Sequence, residues 1–359
     1  MGDTEAAAPH ARDAETRRVP ARRVPARKLL FKVGLLALAI LLTGFMLSEY
    51  DTHADDNSYV AAVLEKDRLI RTTPSPKIIL VGGSNLAFGT DSKLIQDSLG
   101  VSVINMGLYA KIGLRYMLAQ VKPYIQRGDV VIVVPEYDQF YGAYIEGDNT
   151  LNTAMLYTPT DRIPDFIRSY SIIDVILRPR AENARRSFLR AAAAAVGRED
   201  QFFPPDTNPV YNRHSFNQYG DAVAHLTRKG KDPDSIYVGA LPPAKNFNPD
   251  AVEVLDDLYR TAMQNSARAY FMWPSYMDSA YVINRAAIEM LGNRIATGTQ
   301  MPVIGSPKDF VFPRTWFFDT RYHLNAQGRE ERTQRMIRIL RAVGARDGWL
   351  PRGSGTPAP

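Results

Sequence analysis

At 359 residues, 45% of them hydrophobic, the chain is long enough for one large buried core or one core with an insertion. Its formal charge of +6 is front-loaded. Residues 1–32 hold eight Lys/Arg against four Asp/Glu, a net +4, so the remainder carries about +2 and has no polyanion-binding signature; no nucleic-acid partner is expected. With no cysteine, a disulfide framework, a thiolate nucleophile and a cysteine-bound zinc are excluded.

The basic arm repeats itself, Arg18-Val19-Pro20-Ala21-Arg22 and then Arg23-Val24-Pro25-Ala26-Arg27. Its prolines exclude a regular helix, so residues 1–28 are expected to form a disordered cytoplasmic arm touching anionic lipid. Residues 33–47 (VGLLALAILLTGFML) contain no charge. The stretch 29–47, interrupted only by Lys32, is near the roughly 20 residues a spanning helix needs. Residues 29–48 are therefore read as one transmembrane anchor. Arg12, Arg17, Arg18, Arg22, Arg23, Arg27 and Lys28 precede it, whereas Glu49, Asp51, Asp55 and Asp56 follow, with no Lys or Arg until Lys66. The excess of basic residues on one side puts the N-terminus in the cytoplasm and everything after residue 48 in the periplasm or outside the cell. The rival reading, a cleaved signal peptide, has only the poor site Thr52-His53-Ala54.

Beyond the anchor, residues 49–74 read as a linker, with a short helix over 59–70. Short β-branched runs predict strands at 77–81, 101–105 and 130–134, and a helix is expected over 108–126. Residues 160–196 look helical with a break at Arg178-Pro179, and 199–250 are rich in Pro, Asn, Asp and Gly. Pattern returns with a helix at 249–266, a strand at 269–273, a helix at 278–296, a short strand at 302–304 and a helix at 324–343. Continuous apolar strands alternating with helices indicate an α/β domain with a mostly parallel sheet covered on both faces. The expected domain spans 75–345, with an irregular excursion at about 150–250 and a disordered tail at 346–359.

Two ends of this domain carry the residues for nucleophilic chemistry. The first strand runs into Gly82-Gly83-Ser84-Asn85, at the carboxyl edge where parallel sheets bind ligands. The glycines permit a tight turn, and amides near Ser84 can hold a developing oxyanion. A serine nucleophile needs a base, and the base needs an orienting carboxylate. Of the five histidines, His10 lies in the basic arm and His53 beside the membrane segment, leaving His214, His225 and His323. Only His323 has a carboxylate a few residues upstream at a loop-to-helix junction, Asp319. The bland alternatives are an N-cap serine and a surface Asp–His pair.

Taken together, these ends resemble the SGNH (GDSL-like) hydrolase superfamily. Gly83-Ser84-Asn85 is similar to its first block. Asn105-Met106-Gly107 is similar to the second, whose glycine amide helps form the oxyanion hole. Asp319 and His323-Leu324-Asn325, followed by Gly328, are similar to the last. Three residues separate Asp319 from His323 where the family has two. The third strand ends Val134-Pro135-Glu136-Tyr137-Asp138-Gln139, without the asparagine the family places in the oxyanion hole. That leaves Gln139 or Tyr137 as substitute donors, or the amides of Ser84 and Gly107 alone. The resemblance implies a three-layer α/β sandwich of flavodoxin-like type and no cofactor. It also implies that Ser84 takes an acyl group, His323 shuttles the proton and Asp319 orients it. Membrane-tethered members of this type, such as the periplasmic alginate O-acetyltransferase type, modify extracellular polymers beside a multi-span membrane acyltransferase. The expected activity is therefore ester hydrolysis or O-acyl transfer on a cell-surface polysaccharide. The alternative is a catalytically inactive glycan-binding or docking subunit on the same fold.

The loop Asn212-Arg213-His214-Ser215-Phe216-Asn217-Gln218-Tyr219-Gly220-Asp221 is dense in amides and aromatics suited to a sugar. Asn85, Asn217 and Tyr219 are the candidate substrate contacts. No histidine pair or acidic loop has metal-ligand spacing, and the first turn lacks a nucleotide-binding glycine pattern.

Overall fold

The structure is a computed structural model that describes Gly2 and residues 26–52, 57–204 and 207–350. The chain divides into two units, Met1–Thr43 and Gly44–Pro359. A 27-residue helix, α1 (Ala26–Thr52), starts in the first. Leu29, Leu30, Phe31, Leu35, Leu36 and Met46 on it are exposed. Among the described residues no helix is long and apolar enough to cross a membrane; Ile40, Leu41 and Phe45 are among the α1 side chains outside those residues. The helix takes in residues 26–28 of the expected arm and 49–52 of the expected linker. The arm expectation for 3–25 lies outside the described residues.

The second unit begins earlier than expected. A 3-10 turn (Tyr59–Ala62) runs into α2 (Val63–Thr72), and Tyr59, Val60, Ala61, Ala62, Val63 and Ile70 are buried. This segment belongs to the domain and is not linker, because its apolar face has core to dock on. Two polar groups pin it: the Tyr59 hydroxyl donates to Leu108 O at 3.1 Å, and Lys66 Nζ donates to Asn105 O at 2.7 Å and to Gly220 O.

Next come β1 (Lys77–Gly82), α3 (Ser84–Gly89), α4 (Ser92–Leu99), β2 (Ser102–Asn105), α5 (Leu114–Val121) and β3 (Val130–Val134). The helix expected over 108–126 is cut short because Gly113 sits at φ +97 against the backbone of Glu146 and Gly147, where a Cβ would stand 2.6 Å away. The excursion holds α6 (Asn149–Tyr157), α7 (Ile163–Ile167), a π-helical stretch (Ile173–Leu177), α8 (Arg178–Ala195) and α9 (Glu199–Phe202). Pro179 stands in the first turn of α8, where a missing N–H is harmless, so the expected break is a helix junction. Between 207 and 249 the only helical segments are 3-10 turns.

The chain then forms α10 (Asp250–Gln264), β4 (Arg268–Met272), β5 (Tyr276–Met277), α11 (Asp278–Gly298), β6 (Val303–Ile304), β7 (Val311–Phe312) and α12 (Ala326–Asp347). The first residues of the tail expected from 346 are ordered. α12 continues to Asp347, whose carboxylate accepts from the Tyr270 hydroxyl at 2.6 Å, and Gly348 at φ +68 closes it. Residues 351–359 lie outside the described residues.

Five strands form one parallel sheet in the order β2-β1-β3-β4-β6. Val130–Val134 and Ile78, Ile79, Leu80 and Val81 are fully buried, as strands covered on both faces require. From β1 the chain goes to β2 on one side and then to β3 on the other. The carboxyl ends of β1 and β3 therefore flank the switch point where such sheets open a crevice. Gly82 pairs with Val134, so Ser84 and Glu136 lie the same two residues beyond a paired position.

Candidate active site

Ser84 opens α3, immediately beyond β1. Gly82 and Gly83 are required by close approach. A Cβ on Gly82 would meet Val134 O at 2.3 Å, and one on Gly83 would meet Glu136 Oε1 at 2.7 Å. The turn is gripped from the far end of the chain: the Arg332 guanidinium on α12 donates to Asn85 O and, at 2.9 Å, to Asn85 Oδ1.

Asp319 and His323 sit on one tight loop. Phe317 and Leu324 form an antiparallel bridge, and Phe318 N donates to His323 O at 2.8 Å. Inside the loop, Thr320 Oγ1 accepts from the amides of Tyr322 (3.3 Å) and His323 (3.2 Å). This turn accommodates the three residues between Asp319 and His323 and brings the carboxylate back onto the ring. The loop is moored by a bidentate contact of Arg321 Nη2 with Asp138 (both oxygens 2.9 Å) and by the Tyr322 hydroxyl donating to Asp138 Oδ2 at 2.8 Å.

The structure brings Ser84, His323 and Asp319 together. Ser84 Oγ lies 2.8 Å from His323 Nε2, and His323 Nδ1 lies 2.8 Å from Asp319 Oδ1. The Asp319 carboxylate is an acceptor, so Nδ1 carries the proton and Nε2 is free to accept from the serine. Phe88 stacks on the imidazole, centroids 4.1 Å apart and planes 9° from parallel, which fixes the ring plane. Ser84 is 3% exposed and His323 5%, so both stand almost wholly out of solvent.

Two residues absent from the sequence expectation complete the cluster. The Tyr211 hydroxyl donates to Asp319 Oδ2 and lies 3.0 Å from His323 Nδ1. Burial and the Asp319 charge push the Tyr211 phenol well above its ordinary value, so it stays a donor. Burial pushes the Asp319 carboxyl up, but the hydrogen bonds from His323 and Tyr211 help hold it below its usual value, hence ionised. Glu136 Oε1 accepts from Ser84 Oγ at 3.1 Å and from Asn85 N at 3.0 Å. Burial raises the Glu136 carboxyl above its ordinary value, with Asp138 adding to the rise and His323, Asn85 N and Ser84 opposing it. Its position after β3 was visible in the sequence; that β3 neighbours β1 was not.

The remaining candidates are placed differently. Gly107 N donates to Asn105 Oδ1 at 2.8 Å, which engages the expected oxyanion donor. Gln139 is fully buried, its oxygen accepting from Glu136 N at 3.0 Å and its amide donating to Ala110 O at 3.1 Å, so it shapes the Glu136 turn. Tyr137 packs edge-on against Tyr276, and its buried hydroxyl has no hydrogen-bond partner among the described residues. Asn85 is buried and saturated by Arg332, Glu136 and Val134 O, so it is a structural residue and not a substrate contact. Asn217 closes its own turn by accepting from the amides of Tyr219 and Asp221 at 3.0 Å. Tyr219 O accepts from Asn105 N at 2.8 Å, which ties this loop to β2. Asn217 lines a cleft of about 450 Å³ with Glu65, Lys66, Phe216, Gln218 and Gly220, and Ser84 is not part of its lining.

His225 Nε2 donates to Leu324 O at 3.1 Å, and burial pulls its imidazole down to about 4, so it is a neutral support for the loop. Among the described residues no group of three or more His, Asp or Glu side chains is placed to hold a metal ion. Compared with known proteins, the chain matches no family model and no curated sequence.

Proposed function

We propose that this protein is a membrane-anchored, extracytoplasmic serine esterase or O-acyltransferase. It adds acyl groups to a cell-surface polysaccharide, or removes them, through an acyl-Ser84 intermediate. The hydrogen-bond chain Ser84–His323–Asp319 at the switch point of a parallel sheet carries the reading. Ser84 Oγ attacks the acyl carbonyl while its proton passes to His323 Nε2, and Asp319 stabilises the imidazolium. The leaving alkoxide takes that proton, and a sugar hydroxyl or water then repeats the steps in reverse. The polysaccharide, the three-layer SGNH-like classification and a multi-span acyltransferase partner rest on the resemblance of the three sequence blocks. The pairings of α4 with α12 and α5 with α10 support a layered sandwich. An anchor with a cytoplasmic N-terminus is supported by the length of α1, its exposed Leu and Phe side chains and the basic residues before it.

The test uses the full chain in detergent micelles with an activated acetyl ester, following product release and the mass of the Ser84 peptide. Turnover and an acetylated Ser84, both lost in Ser84→Ala, are expected. Turnover unchanged by Ser84→Ala removes the mechanism. A second reading, a glycan-binding subunit without turnover, is favoured by the carboxyl of Glu136 standing against a nucleophile only 3% exposed. It predicts equal glycan affinity in wild type and Ser84→Ala, with no acetyl-serine in either.

A further inference from the structure

Ser84 has one proton and two acceptors: His323 Nε2 at 2.8 Å and Glu136 Oε1 at 3.1 Å. The position of Glu136 is built. Its amide is held by Gln139 Oε1, Asn85 N donates to its carboxyl oxygen, and only a glycine at 83 leaves the carboxyl room. A negative charge at this spot opposes acyl transfer, because the tetrahedral adduct develops an oxyanion one bond angle away from Oγ. A protonated carboxyl at the same spot is a hydrogen-bond donor to that oxyanion.

We infer that Glu136 acts in its protonated form, as the donor to the oxyanion on the substrate carbonyl, and that its ionised form holds the site off. The inference rests on the acyl-transfer reading and supplies the regulation of that same site. In the step, the Ser84 Oγ–carbon bond forms and the serine proton moves to His323 Nε2. The carbonyl π pair moves onto oxygen, which accepts a hydrogen bond from the Glu136 O–H without taking its proton. On collapse the C=O re-forms, and the leaving alkoxide departs with the His323 proton. The productive site therefore holds one proton on Glu136 and none on His323 Nε2.

The groups facing Glu136 are His323 from the Asp319 loop, Ser84 and Asn85 from α3, Asp138 on its own turn, Arg332 from α12, and the hydroxyls of Tyr59 and Tyr322. Burial, ahead of the opposing pull of His323, raises the carboxyl above its ordinary value. The proton thus stays on Glu136 to higher pH than on a solvated glutamate, and is lost as pH climbs further.

The experiment compares kcat/KM against pH for the full-length wild type, Glu136→Gln and Glu136→Ala on the activated acetyl ester. An amide always donates, so Glu136→Gln is expected to lose the alkaline fall of the wild type and to exceed it by a further tenfold for about each pH unit above the onset of that fall. Glu136→Ala, with no donor, should fall about 10²–10³-fold below Glu136→Gln. A carboxylic-acid C=O band in the infrared spectrum below the onset of that alkaline fall, absent from Glu136→Gln, reports the proton without reference to turnover. Glu136→Gln no faster than Glu136→Ala, or a wild-type profile that falls no earlier than that of Glu136→Gln, overturns the inference while leaving acyl transfer standing. No acyl-Ser84 in any of the three proteins at any pH overturns both.

Discussion

Asp319→Asn tests how the hydrogen-bond chain is wired. An asparagine at 319 has two orientations. With its oxygen toward His323, Nδ1 keeps its proton and Nε2 can still accept from Ser84, but the Tyr211 hydroxyl proton, which now goes to Asp319 Oδ2, loses its acceptor. With its amide toward His323, every group is satisfied. Tyr211 donates to the asparagine oxygen, the amide donates to Nδ1, and Ser84 turns its proton to Glu136 Oε1 at 3.1 Å. A buried donor without a partner costs about 1–3 kcal/mol. That biases the flip by roughly 5- to 160-fold toward the second arrangement, whose imidazole carries its proton on the wrong nitrogen. Asp319→Asn alone should therefore lose about 10⁴-fold in kcat/KM. Tyr211→Phe alone, which leaves the carboxylate on Nδ1, should stay within about tenfold of wild type. The double variant has no phenol proton to satisfy and should recover roughly 5- to 160-fold over Asp319→Asn. The assay is ester turnover by the three variants, with ¹⁵N chemical shifts of His323 reporting which ring nitrogen is protonated. A double variant no more active than Asp319→Asn, or an Asp319→Asn within tenfold of wild type, refutes the wiring.

Gly82→Ala should lower the urea midpoint and open the Ser84–Glu136 spacing, because its Cβ meets Val134 O at 2.3 Å and that carbonyl belongs to the neighbouring strand; overpacking of this kind costs about 1–3 kcal/mol. An unchanged midpoint counts against the close β1–β3 approach. Lys66 is buried and pulled from its ordinary 10.5 down to about 7 by desolvation, against the opposing charges of Asp221 and Glu65. Between about pH 7 and 10.5 the unfolded chain therefore binds the proton that the folded one has released, and wild-type stability rises with pH across that window. Lys66→Met lacks this contribution, so the stability difference between the two proteins should move in favour of wild type as pH rises from 7 to 9.5. A constant difference contradicts a neutral amine at this site.

The strands were legible because Val130–Val134 and residues 77–81 are short β-branched runs bounded by Gly and Pro, which only a doubly covered sheet explains. The Ser84–His323–Asp319 grouping was legible from chain order and residue chemistry. What escaped depends on neighbours. Glu136 stood in view after β3, but its meeting with Ser84 follows from the Gly82–Val134 register, and pairing order is not written in any single segment. Tyr211 lies in a stretch without periodicity and reaches Asp319 across 108 residues. Gln139 and Asn85 have the chemistry of oxyanion and substrate contacts, yet in a buried turn their hydrogen bonds go to the backbone and to one another's supports. α6 was missed because its Asn and Thr residues are weak helix formers; its Asp148 cap, accepting from Thr150 N at 2.8 Å, and its packing on the Tyr59–Ala62 turn override that propensity. The strands β5 and β7, two residues each, are too short to leave a pattern.

Ser84 and His323 stand 239 residues apart in the chain, and the guanidinium that clamps the Ser84 turn comes 247 residues after the asparagine it holds. A ribosome thus makes the hydroxyl long before the histidine. Until α12 has emerged and docked, the nascent serine has neither its proton acceptor nor its clamp. On the proposed acyl-transfer reading, the polypeptide stays chemically silent until that docking is complete.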